Sequence, residues 1–207
     1  MKWMKNRLLE KILDLLIVLC GIISLVLLSG VFEDGFSWNV FSSIFSIYTL
    51  LAIIYYFLES LYIWNRKHGV FFSLMKFILL SGITFCAIFT VVFMQPFYKN
   101  ATGLMKVGYI CMHDVLPLLV LLEYLVSHKG HFNGKFIVMD MLVFIVYGVV
   151  VLLCGQYANT GYPYAFLDPN QLGYDIVIKE CILLVVVMFI YGNIILSIDR
   201  RFKKVKK

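Results

Sequence analysis

An imidazole that meets a hydroxyl in a water-poor site can take its proton and turn a weak nucleophile into an effective one. This sequence holds both residue types inside apolar runs. His113 lies in Gly108-Tyr-Ile-Cys-Met-His-Asp-Val-Leu-Pro117, and an ionisable group within a membrane span is costly enough to mark a functional site by default. The run Trp38-Asn-Val-Phe-Ser-Ser-Ile-Phe-Ser-Ile-Tyr-Thr49 supplies hydroxyls. Ser43 and Ser46 are three residues apart and share a helix face. The chemistry these residues suggest is acyl transfer, with a serine as nucleophile and His113 as base. Structural roles compete with it: hydroxyls in membranes usually bond the backbone or a neighbouring helix, and a single membrane histidine can be a hydrogen-bonded packing residue.

Other polar residues are weaker candidates. Asp114 follows His113 directly, and neighbours on a helix do not face each other, so its role is open. Glu123 lies about 15 Å further along the same helix, where it reads as part of an interfacial cluster with Tyr124. His68, His128 and His131 sit beside Arg66, Lys67, Lys129 and Lys135 and read as a solvated rim. The stretch Thr160-Gly-Tyr-Pro-Tyr-Ala-Phe-Leu-Asp-Pro169 has turn-forming residues and three aromatics. It suits an interfacial anchor or, more sharply, a lid. Tyr162 or a backbone N–H of this loop could stabilise an oxyanion, and Asp168 could orient His113. No metal-ligand pattern or phosphate-binding glycine loop is visible, so neither a metal nor another cofactor is expected.

The elements that must position these residues follow from composition. Of 207 residues, 62% are hydrophobic and 14% charged, with mean hydropathy +0.91. A soluble domain carries about 25% charged residues, so the surface of this chain must face lipid. Apolar runs near 12–31, 39–64, 70–95, 107–127, 135–155 and 176–198 predict six transmembrane helices, in an all-α bundle forming a single domain over residues 1–207. The first run is expected to be retained, since Glu10 and Asp14 interrupt its basic lead and no cleavage motif follows. The five cysteines, all within apolar runs, read as small hydrophobes.

Charge orients the bundle. Most of the 18 Lys and Arg residues lie in the N-terminal segment, around Arg66, around Lys129 and in the tail from Arg200, all on one side of six crossings. The other side has Lys99, Lys106 and Lys179 against Glu33, Asp34, Asp168 and Asp175. Both termini are therefore expected to be cytoplasmic, with the basic tail against anionic headgroups. This use of the net charge of +6 makes a nucleic-acid partner unnecessary.

The stretch His113-Asp-Val-Leu-Pro-Leu-Leu-Val-Leu-Leu-Glu-Tyr-Leu125, followed by Tyr162-Pro-Tyr-Ala-Phe-Leu-Asp168 and Gly173-Tyr174, resembles the bacterial six-helix membrane proteins called Pr-six-Pr. These are similar to the animal androgen-induced protein family. The resemblance covers the whole chain in helix number and order, and its second half most specifically. It implies a protein of the bacterial plasma membrane that hydrolyses fatty-acid esters of hydroxy fatty acids, with a threonine nucleophile on an early helix and a histidine on a later one. The histidine falls on His113. The threonine pattern Thr-x-x-Ser-Asn reads here Ser43-Ile-Phe-Ser46-Ile47, with serine for threonine and isoleucine for asparagine. Ser43 is thus the implied nucleophile, with Ser42 and Ser46 as alternatives.

The function expected is a serine/threonine-type lipid ester hydrolase in which Ser43 and His113 are catalytic and Ser46, Asp114, Tyr162 and Asp168 bind substrate or support. Its partner is a membrane lipid ester, and the sequence names no protein partner. A second class, a small substrate-binding transport subunit without catalysis, also fits six helices in this length. Gly21 and Ser24 on the first helix offer it no clean small-residue repeat. A purely structural membrane protein is the third.

Overall fold

The computed structural model describes residues 2–33, 35–62, 69–93, 101–127, 132–158 and 160–205. Within them the chain is almost entirely helical, and six helices are long and apolar enough to cross a membrane. They are α1 (Lys2–Leu28), α2 (Ile44–Tyr62), α3 (Val70–Phe93), α4 (Gly103–Ser127), α5 (Lys135–Tyr157) and α6 (Tyr174–Val205). His68, His128, His131, Arg66, Lys67, Lys99, Lys129 and Asp34 lie outside the described residues.

The six expected spans appear in order, with shifted ends. The difference that bears on the site is at α2, expected from 39 but helical only from Ile44. Residues Trp38–Ser42 form instead a 3-10 turn capped by the Ser37 side chain, and Ser43 is extended (φ −81°, ψ 141°). That kink makes Ser43 the first residue before a fresh helix rather than a residue one turn inside it.

α1 lies against α2 and α4, α3 against α2, α4 and α5, and α6 docks mainly on α5. Tyr48, Tyr56, Phe77, Ile83, Leu116 and Val120 are fully buried where α2, α3 and α4 meet. Close approach depends on small residues, as expected where lipid gives no hydrophobic drive for helices to associate. A Cβ on Gly82 of α3 would stand 2.3 Å from the Tyr48 ring. The outward faces of α5 and α6 expose Val146, Val150, Leu183 and Ile190, a surface suited to lipid chains.

α4 is not uniform. Between α-helical Gly103–Ile110 and Leu116–Ser127, residues Cys111–Val115 form a π turn, in which the Leu116 N–H donates five residues back to the Cys111 carbonyl. Pro117 supplies the cause: its ring would clash with the carbonyl four residues earlier, that of His113, and it has no N–H to offer. The Cys20 thiol also donates to the Cys111 carbonyl (3.3 Å), tying the wide turn to α1.

The half of the bundle away from the 29–43 and 158–173 connections holds buried ionic groups. Lys76 of α3 is 2.6 Å from Glu123 of α4, both almost wholly buried, and donates to Ser127 (2.6 Å). Tyr124 turns elsewhere and donates to Asp199 of α6 (2.8 Å), which also accepts the Phe132 N–H (3.1 Å). The expected Glu123–Tyr124 cluster is thus two separate contacts, because successive helical residues point about 100° apart. Asp140 of α5 is buried and accepts from Tyr48 (3.4 Å).

Candidate active-site cavity

Between the kink at Ser43, the wide turn of α4 and the 158–173 connection lies a cavity of about 1000 Å³, at the upper end of the range for small-molecule sites. Ser43, Thr90, His113, Tyr147, Tyr164 and Asp168 all contribute to its wall. The 160–169 stretch therefore forms part of the site and is more than an interfacial anchor.

Ser43 Oγ accepts from the Ser46 N–H (3.1 Å) and donates to Ser46 Oγ (2.8 Å). It thereby caps α2, where first-turn N–H groups lack helical partners. Ser46 is buried, with its hydroxyl 4.0 Å from Met112 Sδ. Ser42 donates back to the Asn39 carbonyl (2.7 Å), so of the three serines it is the one tied to its own turn.

His113 lies edge-on to Phe45 (centroids 4.3 Å) and stacks with Tyr109 (5.9 Å). Its Nδ1 is 3.4 Å from Thr90 Oγ1 on α3. The Thr90 hydroxyl donates its proton to the Cys86 carbonyl (2.8 Å), so it presents a lone pair to the imidazole. A proton on Nδ1 would then be accepted by Thr90, the tautomer that leaves Nε2 basic. Thr90 thus occupies the orienting position that a carboxylate fills in a Ser-His-Asp triad.

The sequence offers Asp168 for that position. Its two oxygens accept instead from the Asn170 N–H (2.9 Å) and the Gln171 side chain (2.8 Å). It caps the short helix Pro169–Leu172, and a carboxylate so committed holds the loop and not the imidazole. Asp114 is exposed on the outside of α4 and does not line the cavity, since one step along a helix turns a side chain about 100°. Tyr162 does line it, with its ring packed where a Cβ on Gly155 would stand, 2.2 Å away.

The phenol beside Ser43 belongs to Tyr164. Its hydroxyl faces the Ser43 side chain and the Ile44 backbone, next to Tyr147. Tyr147 in turn donates to the Ser42 carbonyl (2.8 Å). Burial first, then the neighbouring Tyr147 and Cys86, hold the Tyr164 hydroxyl well above the usual phenol range, so it stays a proton donor. Sequence reasoning missed Thr90 and gave Tyr164 only a membrane-interface role. The four-residue step from Cys86 to Thr90 was visible, but nothing in it pointed to His113.

Among the described residues no three His, Cys, Asp or Glu side chains come together as a metal site. The fold and the cavity define a six-helix membrane bundle with, in one half, a largely apolar cavity that carries a few polar side chains. No protein-family model, curated protein or solved structure matches the chain.

Proposed function

We propose that the protein is a membrane hydrolase of lipid esters, such as fatty-acid esters of hydroxy fatty acids. The observation that carries the reading is the Thr90–His113 contact, which supports a tautomer with a basic Nε2 on an imidazole that shares a cavity with Ser43. In the reaction the Ser43 proton swings from Ser46 to His113 Nε2 as Oγ attacks the ester carbonyl. The tetrahedral oxyanion is met by the first-turn amides of α2 and the Tyr164 hydroxyl, at the helix end where negative charge is favoured. Collapse breaks the C–O bond, and the alkoxide leaves with the proton from imidazolium. Water then attacks the acyl-serine with His113 again as base, releasing the fatty acid and restoring Ser43. Both termini face the cytoplasm of a bacterial plasma membrane, and substrate reaches the cavity from the outer leaflet.

Labelling of the purified protein with a fluorophosphonate tests this. Wild type is expected to label, and Ser43→Ala and His113→Ala to lose the label. Labelling retained by both variants refutes the mechanism. A second reading, lipid binding without catalysis, is favoured by one observation: both hydrogen bonds of Ser43 to Ser46 serve to cap α2. It requires lipid binding that survives Ser43→Ala and no ester turnover by wild type.

A further inference from the structure

The cavity is not closed on the side of α5 and α6. On α5 its wall is formed by Ile145, Gly148, Val149 and Leu152, whose spacing of three, four and seven places them on one helix face. On α6 the facing residues include Ile182 and Val186. Ile145 (42%), Val149 (51%), Ile182 (59%) and Val186 (49%) are exposed, and so are their neighbours Val146, Val150 and Leu183, which do not line the cavity. The cavity wall thus adjoins the outer surface along both helices, and its apolar end forms a slot between them towards the lipid.

Gly148 sits in that slot. Glycine is the poorest helix former after proline, and elsewhere in this bundle its absent side chain is used: Gly21, Gly82, Gly108 and Gly155 all have neighbouring atoms within about 3 Å of a Cβ position. At Gly148 a Cβ would meet nothing within 4 Å. Neither helix contact nor backbone conformation calls for glycine there, which leaves a groove in the α5 wall. Above it Val151, Leu167 and Val177 pack into a separate small core that joins α5, α6 and their connection, so the slot has a firm upper edge.

Resting on the lipid-ester reading of the same cavity, we propose that this slot is the acyl-chain channel. One long hydrocarbon chain runs from the Ser43 and His113 end of the cavity, across Gly148, and out between α5 and α6, with the reacting ester at those two residues. The opposed polar and apolar ends select an amphiphile. An open slot holds the first part of a chain and leaves the remainder in the bilayer, so it discriminates against short chains and sets no upper length limit.

The test uses the full chain in liposomes with p-nitrophenyl acetate and p-nitrophenyl palmitate, and a palmitate bearing a diazirine near its end. Gly148→Trp is expected to lower the palmitate-to-acetate ratio of kcat/KM at least about tenfold, the range in which a pocket discriminates by hydrocarbon fit. Val149→Trp, on the lipid-facing edge, gives a second obstruction if the first variant fails to fold. An unchanged ratio in a folded variant overturns the channel. Photolysis of Ser43→Ala protein with the diazirine probe gives an arm that needs no turnover. Cross-links on 145–152 and 182–186 are expected, and cross-links confined to other helices overturn the proposal. If wild type cleaves neither ester while the cross-links fall in the slot, the hydrolase reading fails and the channel stands.

Discussion

Replacing Thr90 with valine separates an orienting hydroxyl from a nucleophilic one. The change is nearly isosteric and removes one oxygen. That oxygen donates to the Cys86 carbonyl (2.8 Å) and lies 3.4 Å from His113 Nδ1. The Cys86 carbonyl keeps its helical partner, so stability should shift by less than about 1 kcal/mol. What is lost is a neutral contact near the long limit for a hydrogen bond, worth about 1 kcal/mol net. A tenfold rate change corresponds to about 1.4 kcal/mol, so Thr90→Val should lower kcat/KM for a long-chain ester about fivefold. Fluorophosphonate labelling should be slowed similarly but still go to completion. Were Thr90 itself the nucleophile, the same variant would lose labelling altogether, and Ser43→Ala would not. That outcome refutes the assignment of Ser43. A rate unchanged from wild type refutes the orienting role of Thr90.

Three further expectations concern the bundle around the site. Lys76→Met strands Glu123 in a site where both partners are almost fully buried and should destabilise by about 3–5 kcal/mol; the double variant Lys76→Met with Glu123→Leu should recover much of it in a denaturant titration. Gly82→Ala places a methyl 2.3 Å from the Tyr48 ring and should cost about 1–3 kcal/mol as overpacking, seen as a lower midpoint in thermal unfolding. Tyr164, held protonated by burial, makes a pH-dependent contribution. Its phenol ionises more readily unfolded, at about pH 10, so its stabilisation is complete below that pH and fades as pH rises above it. Tyr164→Phe should therefore flatten the alkaline limb of the stability curve, whereas an alkaline limb identical to wild type would contradict the buried phenol.

The six helices were legible because hydropathy over some twenty residues is a summed signal that no single contact can overturn. Their ends were less so: the start of α2 depends on Ser37 and Ser43 taking capping roles, which an apolar count ignores. Ser43 and His113 fall on one cavity, and their height in the bundle followed from topology alone. Thr90 was not legible, since a threonine in an apolar run usually bonds its own helix, and this one does so while also meeting an imidazole on the next helix. Asp168 looked available by height and proved to be occupied by Asn170 and Gln171. Lys76 was legible and passed over: a lysine within an apolar run needs a buried partner, and Glu123 is that partner.

The wide turn in α4 also sets the register of the whole helix. Gly108, Met112, Leu116, Val120 and Tyr124 are all buried and recur every four residues. In an α-helix each such step overshoots a full turn by about 40°, so four steps would carry the stripe most of the way to the opposite face. The π turn at Cys111–Val115 absorbs part of that drift in the middle of the stripe. A deletion of one residue there could be accommodated by tightening the turn to ordinary helix, while the halves above and below kept their own partners on α1 and α3. His113, mounted on the turn itself, would be swung out of the cavity. A single residue at this turn thus separates a bundle with the imidazole in its cavity from the same bundle without it.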